Sequence, residues 1–112
     1  MLDASNLPAG WNIIDNPDQQ ALFEVELYGE VAPSHPLFGV KVRTVARRES
    51  GDAFLFEILG PPIQLTVVHL TWVYARNGHE DTPPWPATQI FPTVDDWMQS
   101  MSDDAVVDSY DV

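Results

Sequence analysis

The sequence predicts a small α+β domain: an antiparallel β-meander of three to four strands with two helices packed on one face. Three observations carry that expectation. The run from Ile63 to Tyr74 is the longest apolar, β-branched and aromatic stretch, with no Gly, no Pro and no formal charge. It is too short to span a membrane and reads as the central strand. Two further strand-like runs precede it across short turns, which favours neighbouring antiparallel strands. Helix-start chemistry at Asn16 and Thr93 flanks the strands. The expected order is a short strand, a helix, three strands and a helix.

Taken in order, Leu7-Pro8-Ala9-Gly10 is a turn, and Trp11 to Asp15 is a short strand that pins this end of the chain to the sheet. Asn16 caps a helix, Pro17 suits its first position, Asp18 favours the positive end of the dipole, and Gln19 completes a capping box. The helix runs through Tyr28 and stops near Gly29 or Glu30. Ala21, Val25 and Tyr28 share a stripe, with Leu22 beside it. Phe23, Val25 and Leu27 alternate with Glu24 and Glu26, a competing strand signal that Asn16 and Pro17 outweigh. Ala32 to Gly39 is a loop.

Val40 to Arg47 is a strand, with Val40, Val42, Thr44 and Ala46 facing one way and Lys41, Arg43, Val45 and Arg47 the other. Glu49 to Asp52 is a hairpin turn, Ala53 to Leu59 the next strand, and Gly60 to Pro62 a turn into the long strand. Asn77 to Thr88 is a long, Pro-rich loop of the kind that often carries function. Gln89 to Phe91 pairs briefly with the sheet. Thr93 caps a second helix whose apolar face is Val94, Trp97, Met98 and Met101. Ser102 to Val112 reads as an acidic, frayed end. The expected core includes Phe54, Phe56, Leu65, Val67, Leu70, Trp72 and Trp97.

The 112 residues suit one domain, and 45% hydrophobic content is that of a folded chain. The absence of Cys excludes disulfides, thiolate metal sites and a Cys nucleophile. No signal-peptide pattern opens the sequence, so a cytoplasmic location is expected. Net charge is −12, from 17 acidic and 5 basic residues. That opposes nucleic acid and anionic lipid and favours a basic partner. Lys41, Arg43, Arg47, Arg48 and Arg76 all lie in the middle, so both ends are purely acidic. If the ends converge, they form one negative face.

His69, between Val68 and Leu70, is a base or relay on one reading and a packed, hydrogen-bonded histidine on the commoner one. His35 reads as a loop-ordering residue. His79-Glu80-Asp81 looks ligand-like, but no second cluster completes a metal site. No nucleophile elbow or phosphate loop is present. Glu24 with Glu26, and Asp95 with Asp96, read as solvated faces rather than catalytic pairs. The arginines read as cross-strand partners of acids. Trp85, in Pro83-Pro84-Trp85-Pro86, is held in a restricted backbone. Exposed, it anchors a partner; buried, it closes the sheet under the loop, which the usual burial of aromatics favours.

Gly10-Trp11, Glu26-Leu27, His35-Pro36-Leu37-Phe38-Gly39, Ala46-Arg47-Arg48, Phe54-Leu55-Phe56, Val68-His69-Leu70-Thr71-Trp72, Trp85-Pro86-Ala87-Thr88 and Trp97 form a series. It resembles a group of short uncharacterised bacterial proteins. In style it is similar to immunity proteins of polymorphic and type VI secreted toxins. The resemblance implies no catalytic residues.

The expected function is therefore a cytoplasmic immunity-type protein, not an enzyme. It would occlude the active site of a basic toxin domain through Glu80, Asp81, Trp85, Asp95, Asp96, Asp103 and Asp104. No nucleic acid, membrane, metal or small-molecule cofactor is expected. The alternative is a small ligand-binding domain or enzyme using the sheet face around His35, Arg43, His69 and Trp72. A third reading is an adaptor that assembles through a sheet edge or helix face.

Overall fold

The computed structural model describes residues 7–60 and 62–101. Five strands form one antiparallel sheet in sequential order: β1 (Trp11–Ile13), β2 (Val42–Arg48), β3 (Ala53–Ile58), β4 (Gln64–His69) and β5 (Ala87–Phe91). Helix α1 (Pro17–Glu30) joins β1 to β2, and α2 (Val73–Asn77) lies between β4 and β5. Helix α3 covers residues 94–101. The α+β class and the meander are as the sequence predicts. The sheet is wider than expected because the segments at Trp11 and Gln89 both pair fully, as its two edges.

The helices do not share a face. On one side, Phe23 and Leu27 of α1 pack with Phe54, Phe56, Val42 and Val68. Phe54 is fully buried, a burial worth roughly 1.5–3 kcal/mol, and its ring centroid lies 4.5 Å from that of Phe23. On the other side, Trp97 of α3 packs with Val45, Ala46, Leu55, Leu65 and Phe91. Strand alternation forces this division: Phe54 and Phe56 point one way, Leu55 the other. Each apolar set needs its own cover, so α1 takes one face and α3 the other.

Helix α1 begins as its sequence dictates. The Asn16 side-chain oxygen accepts from the backbone N–H of Asp18 at 2.9 Å and of Gln19 at 3.1 Å. The helix turns a different stripe inward, however. Phe23 and Leu27, spaced i, i+4, are buried together with Glu26 and Glu30, while Leu22, Val25 and Tyr28 face out.

Two local departures reshape the sheet. The register of β2 on β3 passes from Thr44 opposite Phe56 to Ala46 opposite Leu55, so Val45 is an extra residue in a β-bulge. Val42 and Thr44 face α1 as the alternation predicts. Beyond the bulge Ala46 turns to the α3 face and Arg47 lies over the Phe54 ring, 5.0 Å from its centroid. The second departure is in the long apolar run, which stays extended only to His69. Trp72 is left-handed at φ 64°, and α2 follows. There the N–H groups of Thr71 and Trp72 donate to the Glu30 carboxylate, at 3.0 and 2.8 Å, instead of to a strand.

Of the expected core, Phe54, Phe56, Leu65, Leu70 and Trp97 are buried. Val67 and Trp72 are half-buried.

Candidate functional site

Two loops on the α1 side are tied together by one histidine. The backbone N–H of Leu37 donates to His35 Nδ1 at 3.0 Å, so the ring proton sits on Nε2, which donates to the Pro86 carbonyl at 2.9 Å. Thr88 Oγ1 donates to the same carbonyl at 2.9 Å. His35 and Pro86 are buried. His35 is thus a loop-ordering residue, as its sequence context suggests. The loop carrying Pro86 is fixed further upstream. Asp81 donates its N–H to the Glu30 carbonyl at 2.8 Å, its carboxylate accepts from Thr71 Oγ1 and Thr82 N, and Trp85 N donates to the Thr82 carbonyl at 3.0 Å.

On this framework Trp85 is 51% exposed and Phe38 53%. The expectation that Trp85 closes the sheet is therefore corrected. Its neighbour Pro86 fills the buried position, and the indole is left outside. Neither loop, 32–39 nor 78–86, contains a Lys or Arg, and Glu80 of the second is exposed.

The acids near this loop turn inward. Glu30 is fully buried and Glu26 nearly so. Glu26 was expected on a solvated face. Instead its carboxylate accepts from Tyr74 N at 3.2 Å. Glu24 accepts from Thr44 N at 2.9 Å, and so is likewise engaged with the sheet. Burial, the hydrogen bond to Glu26 and the Glu26 charge push the Glu30 carboxyl from 4.5 up to about 7, against the lowering effect of the Thr71 and Trp72 N–H groups. This pair holds the turn at Trp72, and it lines neither of the two clefts described below.

A cleft of about 460 Å³ opens on the α3 face at the same end of the sheet. Its floor follows from the register. Trp11 lies opposite Arg48, Ala53 opposite His69, and His69 opposite Ala87. One step past the Arg47–Phe54 pair, Arg48 meets Ala53, so one row crosses all five strands. Ala53 leaves room where a larger side chain would fill the row. The next row, with Leu55 and Val67, lies under Trp97. Trp97 meets Trp11 edge-to-face at 5.4 Å. Arg48, His69, Gln89 and Ser100 supply polar groups, and Glu49 lies at the hairpin rim. His69 is exposed here rather than packed. A second depression of about 370 Å³, near Asn12 and Gln19, shares Arg48 and Glu49.

The expected site residues are not gathered as their sequence grouping implied. Glu80, Asp81 and Trp85 share a loop, but Asp81 is engaged with Thr71 and Thr82. Asp95 and Asp96 begin α3, past the far end of β5, which spans about 14 Å from Ala87 to Phe91. Asp103 and Asp104 lie outside the described residues. The alternative set also divides. Arg43 and His69 occupy the α3 face four residues apart along the ladder, and Arg43 is paired with Glu57. His35 and Trp72 belong to the α1 side. Trp11, Arg48, Gln89, Trp97 and Ser100 are the partners of His69 that sequence spacing did not reveal. The expected pairing of arginines with acids holds for Arg43–Glu57 and Arg47–Asp52.

No group of His, Asp or Glu that could hold a metal ion occurs among the described residues. None of the described helices is long and apolar enough to cross a membrane. The described residues form a small α+β domain with an aromatic loop surface and two clefts. No family model, curated protein or solved structure matches the chain.

Proposed function

We propose that the domain is a binding protein of the immunity type, which neutralises a basic partner, a secreted toxin domain, by occluding its active site. The observation that supports the reading is the half-exposed Trp85 on a loop held by His35, Asp81 and Glu30. A large apolar side chain fixed in advance loses little entropy on binding, and Trp is one of the residues enriched at interface hot spots. Phe38 adds a second aromatic on the loop tied to it. The absence of Lys and Arg from both loops, with a net charge of −12, favours a basic surface and speeds its approach.

The acids contribute unequally in this reading. Glu80 faces the partner, Asp81 holds the loop, and Asp95 and Asp96 lie outside the contact. Affinity capture from the cells that make the protein tests it, with wild type, Trp85→Ala and Glu80→Lys run in parallel at low and moderate salt. The expected result is a basic protein retained at one-to-one stoichiometry by wild type, lost with Trp85→Ala and weakened by Glu80→Lys and by salt. Equal retention by all three proteins contradicts the proposal.

A further inference from the structure

We infer that the cleft beside His69 is a binding site for a small monocarboxylate with a flat, apolar body. The inference is independent of the Trp85 surface. The two lie on opposite faces of the sheet, and Trp85 does not line the cleft. A volume of about 460 Å³ suits a small organic molecule, since such sites commonly span about 300–1,000 Å³. Its walls combine an apolar side, formed by Trp11, Trp97 and Val67, with a few polar groups, the usual division between affinity and orientation.

The charge is what selects a carboxylate. In a chain of net charge −12, Arg43 and Arg47 are each paired with an acid, whereas Arg48 has no ion pair among the described residues. The Val45 bulge is what brings it here. Without the extra residue, strand alternation would turn Arg48 to the α1 face, away from His69. A guanidinium binds a carboxylate through two parallel N–H donors, and the imidazole and Gln89 amide add further donors, while the Ser100 hydroxyl donates to the Trp97 carbonyl. Glu49 at the rim opposes a second negative charge on the ligand, so a monoanion is favoured.

The test is a titration of the full chain with 2-naphthoate and with its neutral analogue 2-naphthylmethanol, followed by ¹H–¹⁵N NMR of the indole N–H groups. Naphthoate is expected to shift the Trp11 and Trp97 signals and leave Trp85 unmoved. The alcohol is expected to bind about tenfold more weakly, and so is naphthoate to Arg48→Gln, the scale of one charge-assisted pair. Ala53→Leu, which fills the cleft from its floor without changing charge, is expected to abolish the shifts while the rest of the spectrum stays folded. Equal affinity for acid and alcohol overturns the inference. So does naphthoate binding undiminished in Arg48→Gln or Ala53→Leu, or no movement of Trp11 and Trp97 at millimolar naphthoate.

Discussion

Replacing Glu30 by Gln should change how the stability of the fold depends on pH. In the folded protein the Glu30 carboxyl is buried and hydrogen-bonded to Glu26, and burial is the main reason its pKa rises from 4.5 to about 7. Between those values the folded chain keeps a proton that the unfolded chain has lost. Stability therefore falls as pH rises through that window and is level on either side of it for this group. The full effect is up to about 3 kcal/mol, from 1.36 kcal/mol for each tenfold change in proton affinity. Glu30→Gln also carries a fixed cost. Its two oxygens accept from Thr71 and Trp72 on separate sides, and an amide offers one oxygen and one N–H group. That cost does not vary with pH. The assay is urea unfolding of both proteins from pH 5 to pH 8. The stability difference should move in favour of the variant by about 2–3 kcal/mol across the range. Parallel curves would refute the reasoning, because they would mean that Glu30 is ionised in the fold throughout.

Two further outcomes follow from the same region. Gly29→Ala should destabilise the fold by about 1–3 kcal/mol although Ala is the better helix former by about 1 kcal/mol, since the new Cβ would sit 2.2 Å from Tyr74 Cγ. In a Tyr74→Ala background the same substitution should become stabilising, and denaturant midpoints of the four proteins check the reversal. His35→Ala should cost about 1–3 kcal/mol by leaving the buried Leu37 N–H without its acceptor. It should also loosen the Trp85 loop, read as faster amide exchange at residues 79–85; unchanged exchange would remove His35 as the tie between the loops.

Much of the fold was legible because local chemistry and tertiary structure agree. Asn16 with Pro17 starts α1, Thr93 caps α3 by accepting from Asp96 N at 3.1 Å, and the turns at Glu49 and Gly60 set the meander. Most of the failures share a cause: the deciding contacts are distant in sequence. The run after His69 has strand composition, and Glu30, some forty positions earlier, captures the Thr71 and Trp72 N–H groups. In α1 the Leu22–Val25–Tyr28 stripe is as apolar as the stripe of Phe23 and Leu27; the sheet decides between them. A bulge has no composition signal, so nothing local announced that Arg48 would turn towards His69. Ala53 was the readable hint, a small residue paired with a histidine on the next strand. Trp85 defeated the usual burial tendency because Pro86 occupies the buried position instead.

The central claim is that the loops of Phe38 and Trp85 are the face that meets the partner. Backbone amide hydrogen exchange of the captured complex tests it most directly. Added protection is expected at residues 35–39 and 79–85 relative to the free protein, with the β1 edge and α3 exchanging as before. Unchanged exchange in those two loops, with protection appearing on α3 or β1 instead, would contradict it.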